Sequence, residues 1–117
     1  MNPDIQNRSF DFACRVVKLC QAMEKIGNVP ITLANQLLRS ATSIGANVEE
    51  AQAGQSKADF TAKMYISCKE ARESHYWIRL LIKTEVLPES QLTSLLDESN
   101  QLVAILTTIT KNSRIKE

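Results

Sequence analysis

Aromatic residues make up only 5% of the chain, and glycine and proline number three each. A sandwich or barrel needs turn residues at every strand junction, so this scarcity argues against an all-β fold and for helices packed through Leu, Ile, Val and Ala. Charge of one sign is not in excess either. A net charge of +1 and a pI near 7.7 remove the strongest argument for nonspecific nucleic-acid binding, although charge can still be segregated by face. No apolar run approaches the roughly 20 residues of a membrane span, and the polar opening from Met1 to Ser9 lacks the apolar core of a signal peptide. Cysteine is present three times, at Cys14, Cys20 and Cys68, inside apolar helical patterns where a thiol acts as a small hydrophobe. An odd number of free thiols fits a reducing cytoplasm, and none of the spacings suits zinc or redox chemistry.

The residue types that catalysis needs are just as thin. His75 is the single histidine, which excludes a two-histidine metal site or a relay within one chain. Glu49 and Glu50 with Glu70 and Glu73 are carboxylates on two helices, as in a di-metal bundle, but His75 stands out of the Glu-x-x-His register that such a centre requires. There is no glycine-rich phosphate loop and no nucleophile elbow. The sequence therefore predicts a binding protein rather than an enzyme, with no cofactor, no metal and no evident small-molecule substrate.

What the chain does have is helical periodicity. Its 117 residues, 44% of them apolar, fit one domain spanning 1–117 and can bury a core without staples. Phe12, Val16, Leu19, Met23 and Ile26 recur at threes and fours and place a first helix over about 9–26, ended by Gly27-Asn28. Pro30 suits the first turn of a second helix over about 30–53, with Gly54 as its C-cap. Ser56 caps a third, about 56–86, with Asp59 in the place of a capping-box acid. Pro88 opens a fourth, about 88–111, along which Leu92, Leu95, Leu96, Ser99, Leu102, Val103, Leu106 and Ile109 form a stripe. Residues from Lys111 to Glu117 are expected to fray. Short connections force neighbours to pack antiparallel, so the expected class is all-α, an antiparallel up-and-down four-helix bundle.

Plotted at about 100° per residue, the third helix carries more than one apolar face. Phe60, Met64, Ser67, Ala71, Ser74, Ile78 and Ile82 form a core face. A second strip, Ala62, Ile66, Trp77, Leu80 and Leu81, holds Glu70 and Glu73 among its members. Lys69, Arg72, Tyr76, Arg79 and Lys83 make a narrow solvated strip. A helix apolar over most of its circumference either packs on both neighbours in the bundle or is covered by another copy, and oligomerisation is the simpler cover. The second helix presents small core residues, Ala34, Leu37, Ala41, Gly45 and Val48. Opposite them runs a polar line, Gln36, Arg39, Ser43, Asn47 and Glu50. Short hydrogen-bonding side chains in a line suggest a covered seam, and a carboxylate in an apolar strip needs a cation, so Arg39 is expected to meet Glu70 or Glu73.

The run from Gln36 through Arg39, Ser40, Ser43, Ile44, Asn47 and Glu50 to Ala51, followed by Phe60 and by Lys69-Glu70-Ala71-Arg72-Glu73-Ser74-His75-Tyr76-Trp77, closely resembles the four-helix bundle proteins first described from intervening sequences of bacterial 23S rRNA genes. The similarity extends from Arg8-Ser9-Phe10 to the fourth helix. It implies a bacterial cytoplasmic protein with a left-handed bundle that assembles as a ring-like homopentamer. The family's recurring polar positions fall on Arg39, Ser40, Ser43, Ile44, Asn47 and Glu50, and its third-helix acids on Glu70 and Glu73. Ala51 and Gly54 depart from relatives that place Gly directly after the Glu. A more distant bundle, the accessory variability determinant of diversity-generating retroelements, is a basic pentamer that binds nucleic acid and a reverse transcriptase, and this chain lacks that basic excess.

Two binding functions remain open on this evidence. In the first, a homo-oligomer contacts RNA or a ribonucleoprotein through Lys69, Arg72, Arg79 and Lys83 on the third helix and Arg8, Arg15, Lys18 and Lys25 on the first, each set lying within a narrow arc. In the second, the bundle is a protein-interaction scaffold, its cations simply solvated. In both, the expected interface between copies comprises Gln36, Arg39, Ser40, Ser43, Asn47, Glu50, Glu70, Glu73, Trp77 and Leu80.

Overall fold

Four helices follow one another: α1 (Pro3–Ile26), α2 (Ile31–Gln52), α3 (Lys57–Lys83) and α4 (Thr93–Ile115), with a 3-10 turn at Glu89–Gln91 before the last. The computed structural model describes residues 3–27 and 29–115. Each helix packs on its sequence neighbours and α4 closes back on α1, giving an antiparallel up-and-down four-helix bundle of 48 × 21 × 20 Å with no strand among the described residues. The α2–α3 interface is the most extensive and the α1–α4 interface the thinnest.

Residue size explains this asymmetry. Ser40, Ala41, Gly45, Ser67, Ala71 and Ser74 are all buried on α2 and α3, and small side chains let helix axes approach closely. Their hydroxyls are bonded across or along the interface: Ser67 Oγ donates to the Ile44 carbonyl at 2.8 Å, and Ser40 Oγ lies 2.8 Å from Ser74 Oγ. Gly45 faces the other neighbour, α1, where a Cβ would make ordinary contact with the Ser9 backbone at 3.4 Å and a longer side chain would not fit. Between these contacts lies an apolar core led by Phe12, Leu37, Ile44, Met64, Ile78, Leu92, Leu102 and Leu106, all fully buried. No described buried side-chain polar atom is left without a hydrogen bond.

Helix ends differ from the sequence reading in ways that tertiary contacts explain. α1 begins well before residue 9 because Ile5 and Ser9 are fully buried and extend the Phe12 and Val16 stripe. Gly27 takes the expected left-handed conformation, φ 79°, and its amide donates to the Met23 carbonyl at 3.2 Å. Asn28, expected to share that turn, lies outside the described residues. Pro30 is the N-cap of α2 and not its first helical residue, its carbonyl accepting from Leu33 and Ala34. Gly54 is not a left-handed cap: Ala53 caps α2 at φ −93°. A Cβ at Gly54 would stand 2.9 Å from the Asp59 carboxylate, which can swing aside, and 3.1 Å from the Ala51 backbone carbonyl, so space is tight there. Ser56 caps α3 as expected, its Oγ accepting from the Asp59 amide at 3.0 Å.

α3 stops at Lys83, short of Val86, in a Schellman turn. Val86 N–H reaches the Leu81 carbonyl at 3.4 Å and Glu85 N–H reaches Ile82 at 3.1 Å, with Glu85 left-handed at φ 56°. Pro88 opens the 3-10 turn rather than α4. α4 runs on through Ile115, past the expected end near 111, because Thr110 and Ser113 are buried and the Ser113 hydroxyl bonds to Thr61 of α3. Lys116 and Glu117, also expected to fray, lie outside the described residues.

Candidate nucleic-acid interface

The polar seam between α2 and α3 forms within the chain. Arg39 Nη1 donates to Glu70 Oε1 at 3.3 Å and Arg39 Nη2 donates to Glu73 Oε2, so the guanidinium bridges both carboxylates, as the charge pattern required. Trp77 Nε1 donates to the same Glu73 oxygen at 3.0 Å, one helical turn on. Partial burial pushes the Glu73 carboxyl up, but the hydrogen bonds from Trp77 and Arg39 outweigh it and hold the group below its ordinary 4.5. Lower on the seam, Asn47 Nδ2 donates to the Ser43 carbonyl at 2.9 Å and to Ser43 Oγ at 3.1 Å, and Lys63 lies 3.8 Å from Glu50. Gln36 sits half-buried on the same line.

One member of the expected interface between copies has another place: Ser40 is fully buried against Ser74. Leu81, assigned to the second apolar strip, is 1% exposed in the core. Arg39, Ser40, Ser43, Asn47, Glu50, Glu70 and Glu73 thus find partners inside one chain, while Arg39 remains 53% exposed at its side chain. Trp77 and Leu80 are half-buried, and Ala62 and Ile66 exposed.

The candidate cations divide into two groups. On α1, Arg8 is held in a fork by Glu98 of α4, Nε at 2.9 Å and Nη2 at 2.7 Å, and Nη2 also reaches Gln101 at 2.7 Å. Arg15 donates to Ser94 Oγ at 2.7 Å. Both are committed to the α1–α4 seam, leaving Lys18 and Lys25 exposed on that helix. On α3 the situation is reversed. Lys69, Arg72, Arg79 and Lys83 are all exposed, and none makes an ion pair among the described residues.

Two tyrosines complete that strip. Tyr65 and Tyr76 are 50% and 51% exposed, and the series 65, 69, 72, 76, 79, 83 steps by threes and fours, which keeps it within an arc of about 80° over about 27 Å. Lys69 Nζ sits 5.8 Å from the Tyr65 ring centre, and Tyr76 meets Trp77 edge-on with centroids 5.0 Å apart. The sequence plot found Tyr76 on this strip and missed Tyr65, although its spacing of four from Lys69 was readable. At the C-terminal end of the strip a cleft of about 460 Å³ opens between α3 and α4, lined by Tyr76, Arg79, Leu80, Ile82, Lys83 and Leu96.

A second cavity, about 390 Å³, lies on the α1–α2 side with Val17, Cys20, Val29, Ile31 and Leu38 in its wall. Of the exposed apolar side chains, Ile31 at 71% and Val17 line this cavity, while Phe10, 61% exposed, lies farther along α1 beside Glu49, and Ile26 is also open. Cys14 is exposed, contrary to the apolar position its pattern gave it, because it faces away from the Phe12 and Val16 stripe. Cys20 is half-buried and its thiol is pushed up by burial, while Cys68 is buried with Sγ 3.3 Å from Thr107 Oγ1. No three His, Cys, Asp or Glu side chains gather as a metal site among the described residues, and no described helix is long and apolar enough to cross a membrane.

The chain matches a known family. The family described as 23S rRNA-intervening sequence protein matches residues 1–108. The chain belongs to that family. A solved structure supports the same fold: a protein of unknown function from the S23 ribosomal protein family of Bacteroides thetaiotaomicron VPI-5482 superposes with a TM-score of 0.86 at 39% identity, covering 92% of this chain and 98% of that one. A search among curated proteins gives no match.

Proposed function

We propose that this member of the 23S rRNA-intervening sequence family is a non-enzymatic, homo-oligomeric binding module of the cytoplasm that contacts RNA or a ribonucleoprotein through α3. One observation carries this: four aligned cations, Lys69, Arg72, Arg79 and Lys83, stand exposed without an acid partner among the described residues, although Arg8, Arg39 and Lys63 are each paired. Clustering of unpaired cations on a protein of net charge +1 means that charge has been sorted by face. Self-association is supported by the exposed Phe10, Val17, Ile26 and Ile31, more apolar surface than a monomer gains from leaving wet. A ring of copies, the pentamer that the family resemblance implies, would convert a weak patch into an avid one.

Salt-titrated binding to rRNA fragments is the test. Four phosphate contacts give a slope of log K against log salt near −3 for one strip on a single strand, and steeper for an assembly. Affinity that is undetectable even at low salt, with light scattering reporting a monomer, would end the proposal. The exposed apolar side chains on α1 and at the start of α2 favour a second reading, a scaffold that recognises a protein. Co-purification after nuclease treatment separates the two, because a protein partner survives nuclease and an RNA-bridged one is lost.

A further inference from the structure

Resting on the RNA-binding reading, we infer that α3 takes single-stranded RNA and that the cleft between α3 and α4 seats one unstacked base on the Tyr76 ring. Four observations converge on this occupant. Tyr65 and Tyr76 alternate with Lys69, Arg72, Arg79 and Lys83 along one strip, and both rings are half-open. A ring of this kind can stack only on a base whose face is free, and duplex bases have theirs covered by their neighbours. The cleft beside Tyr76 has an apolar floor of Leu80, Ile82 and Leu96, a rim of Arg79 and Lys83, and a volume of about 460 Å³, within the ~300–1,000 Å³ of small-molecule sites. Apolar floor with cationic rim is the complement of a nucleotide, whose base is flat and weakly polar and whose phosphates are anionic.

Length and rigidity fit as well. The strip spans about 27 Å, about eight nucleotide rises at 3.4 Å, so a short single strand can engage all four cations at once. Tyr76 packs on Trp77 in a T-shaped contact, and Trp77 is itself fixed through Nε1 to Glu73 and thence to Arg39. The ring is therefore tied to the seam that joins α2 to α3. An A-form duplex offers no free base face: its deep major groove is too narrow for α3 to enter, and its shallow minor groove presents 2′-hydroxyls and base edges rather than ring faces.

Trp77, the single tryptophan, makes the inference measurable because its ring touches Tyr76. The experiment titrates the full chain at low salt with a labelled unstructured RNA decamer and with the same sequence as a duplex, following label anisotropy and Trp77 emission together. Expected results are tighter binding of the single strand by roughly tenfold or more, and a saturable Trp77 change at the same midpoint as the anisotropy. Tyr76→Ala should lose roughly tenfold or more of single-strand affinity, Tyr76→Phe should keep it, and neither should alter duplex binding. Circular dichroism confirms that these exposed-site variants stay helical. Duplex binding that equals or exceeds single-strand binding, or a Trp77 signal that stays flat while anisotropy saturates, overturns the base-seating inference and leaves RNA binding intact. Failure of either RNA to bind overturns both, and points to the protein-scaffold reading.

Discussion

Glu85 sits where a helix terminator wants glycine, and replacing it offers a sharp test of the α3–α4 turn. Its φ of 56° lies in the left-handed region, and the two hydrogen bonds of the Schellman turn, Val86 to Leu81 and Glu85 to Ile82, require that conformation. A side chain there costs about 1–2 kcal/mol, of which the greater freedom of glycine in the unfolded chain returns about 0.4–1 kcal/mol. Glu85→Gly should therefore gain about 1 kcal/mol, including a few tenths from removing a negative charge at a helix C-terminus. With an unfolding entropy near 2.1 cal/mol/K per residue, that is a rise of about 4 °C in Tm. Glu85→Ala removes the charge and keeps the strained backbone, so it should gain only those few tenths. Urea and thermal unfolding of the two variants, at one fixed protein concentration, measure the difference. If glycine is no better than alanine, the left-handed turn does not exist in solution and the description of this loop is wrong.

The buried hydroxyl pair gives a second test. Ser40→Ala strands the buried Ser74 hydroxyl at about 1–2 kcal/mol, whereas Ser74→Ala leaves Ser40 Oγ its bond to the Leu37 carbonyl and should cost less; the double variant should cost clearly less than the sum, and a urea double-mutant cycle reads the coupling. Gly45→Ala should stay within about 1 kcal/mol of wild type, because its Cβ meets Ser9 at an ordinary 3.4 Å. Gly45→Leu should lose about 1–3 kcal/mol or more by forcing α1 away. Burial and, after it, the Arg79 charge hold His75 below its ordinary 6.5. The unfolded chain consequently takes up this proton first, stability falls as pH drops below 6.5 toward the folded value, and His75→Gln should flatten that part of the stability-against-pH curve. Iodoacetamide at mildly alkaline pH should modify exposed Cys14 first, half-buried Cys20 next and buried Cys68 last, an order that timed mass spectrometry reports.

Which features were legible in the sequence follows from whether they depend on one helix or on two. Periodicity alone locates the α3 core face, and Met64, Ser67, Ala71, Ser74 and Ile78 are all fully buried. The Arg39 bridge was legible for a different reason: two carboxylates in an apolar strip demand a cation, and the facing polar line held one arginine. Leu81 was misplaced because its angular position lies between two faces, beside Ser74, and only its burial in the assembled bundle decides that it is core. Ser40 reads as polar until Ser74 is known to oppose it. Arg8 and Arg15 read as free cations because Glu98 and Ser94 are some 80 to 90 residues away, and no local pattern announces such partners. The Schellman turn was invisible since its key position holds Glu and not Gly, and the burial of Ile5 that lengthens α1 likewise depends on neighbouring helices.

The thin contact between the first and last helices makes the bundle open from one side. α2, α3 and α4 remain stacked through their broad shared faces, while the thin α1–α4 seam is crossed on its outer side by the Arg8–Glu98 fork, the Arg8–Gln101 bond and the Arg15–Ser94 bond. An ionic clasp weakens as electrolyte is added, whereas apolar burial does not. Rising ionic strength therefore loosens this helix on its α4 side first, and its amide protons should exchange with solvent while those of the α2–α3 pair stay protected.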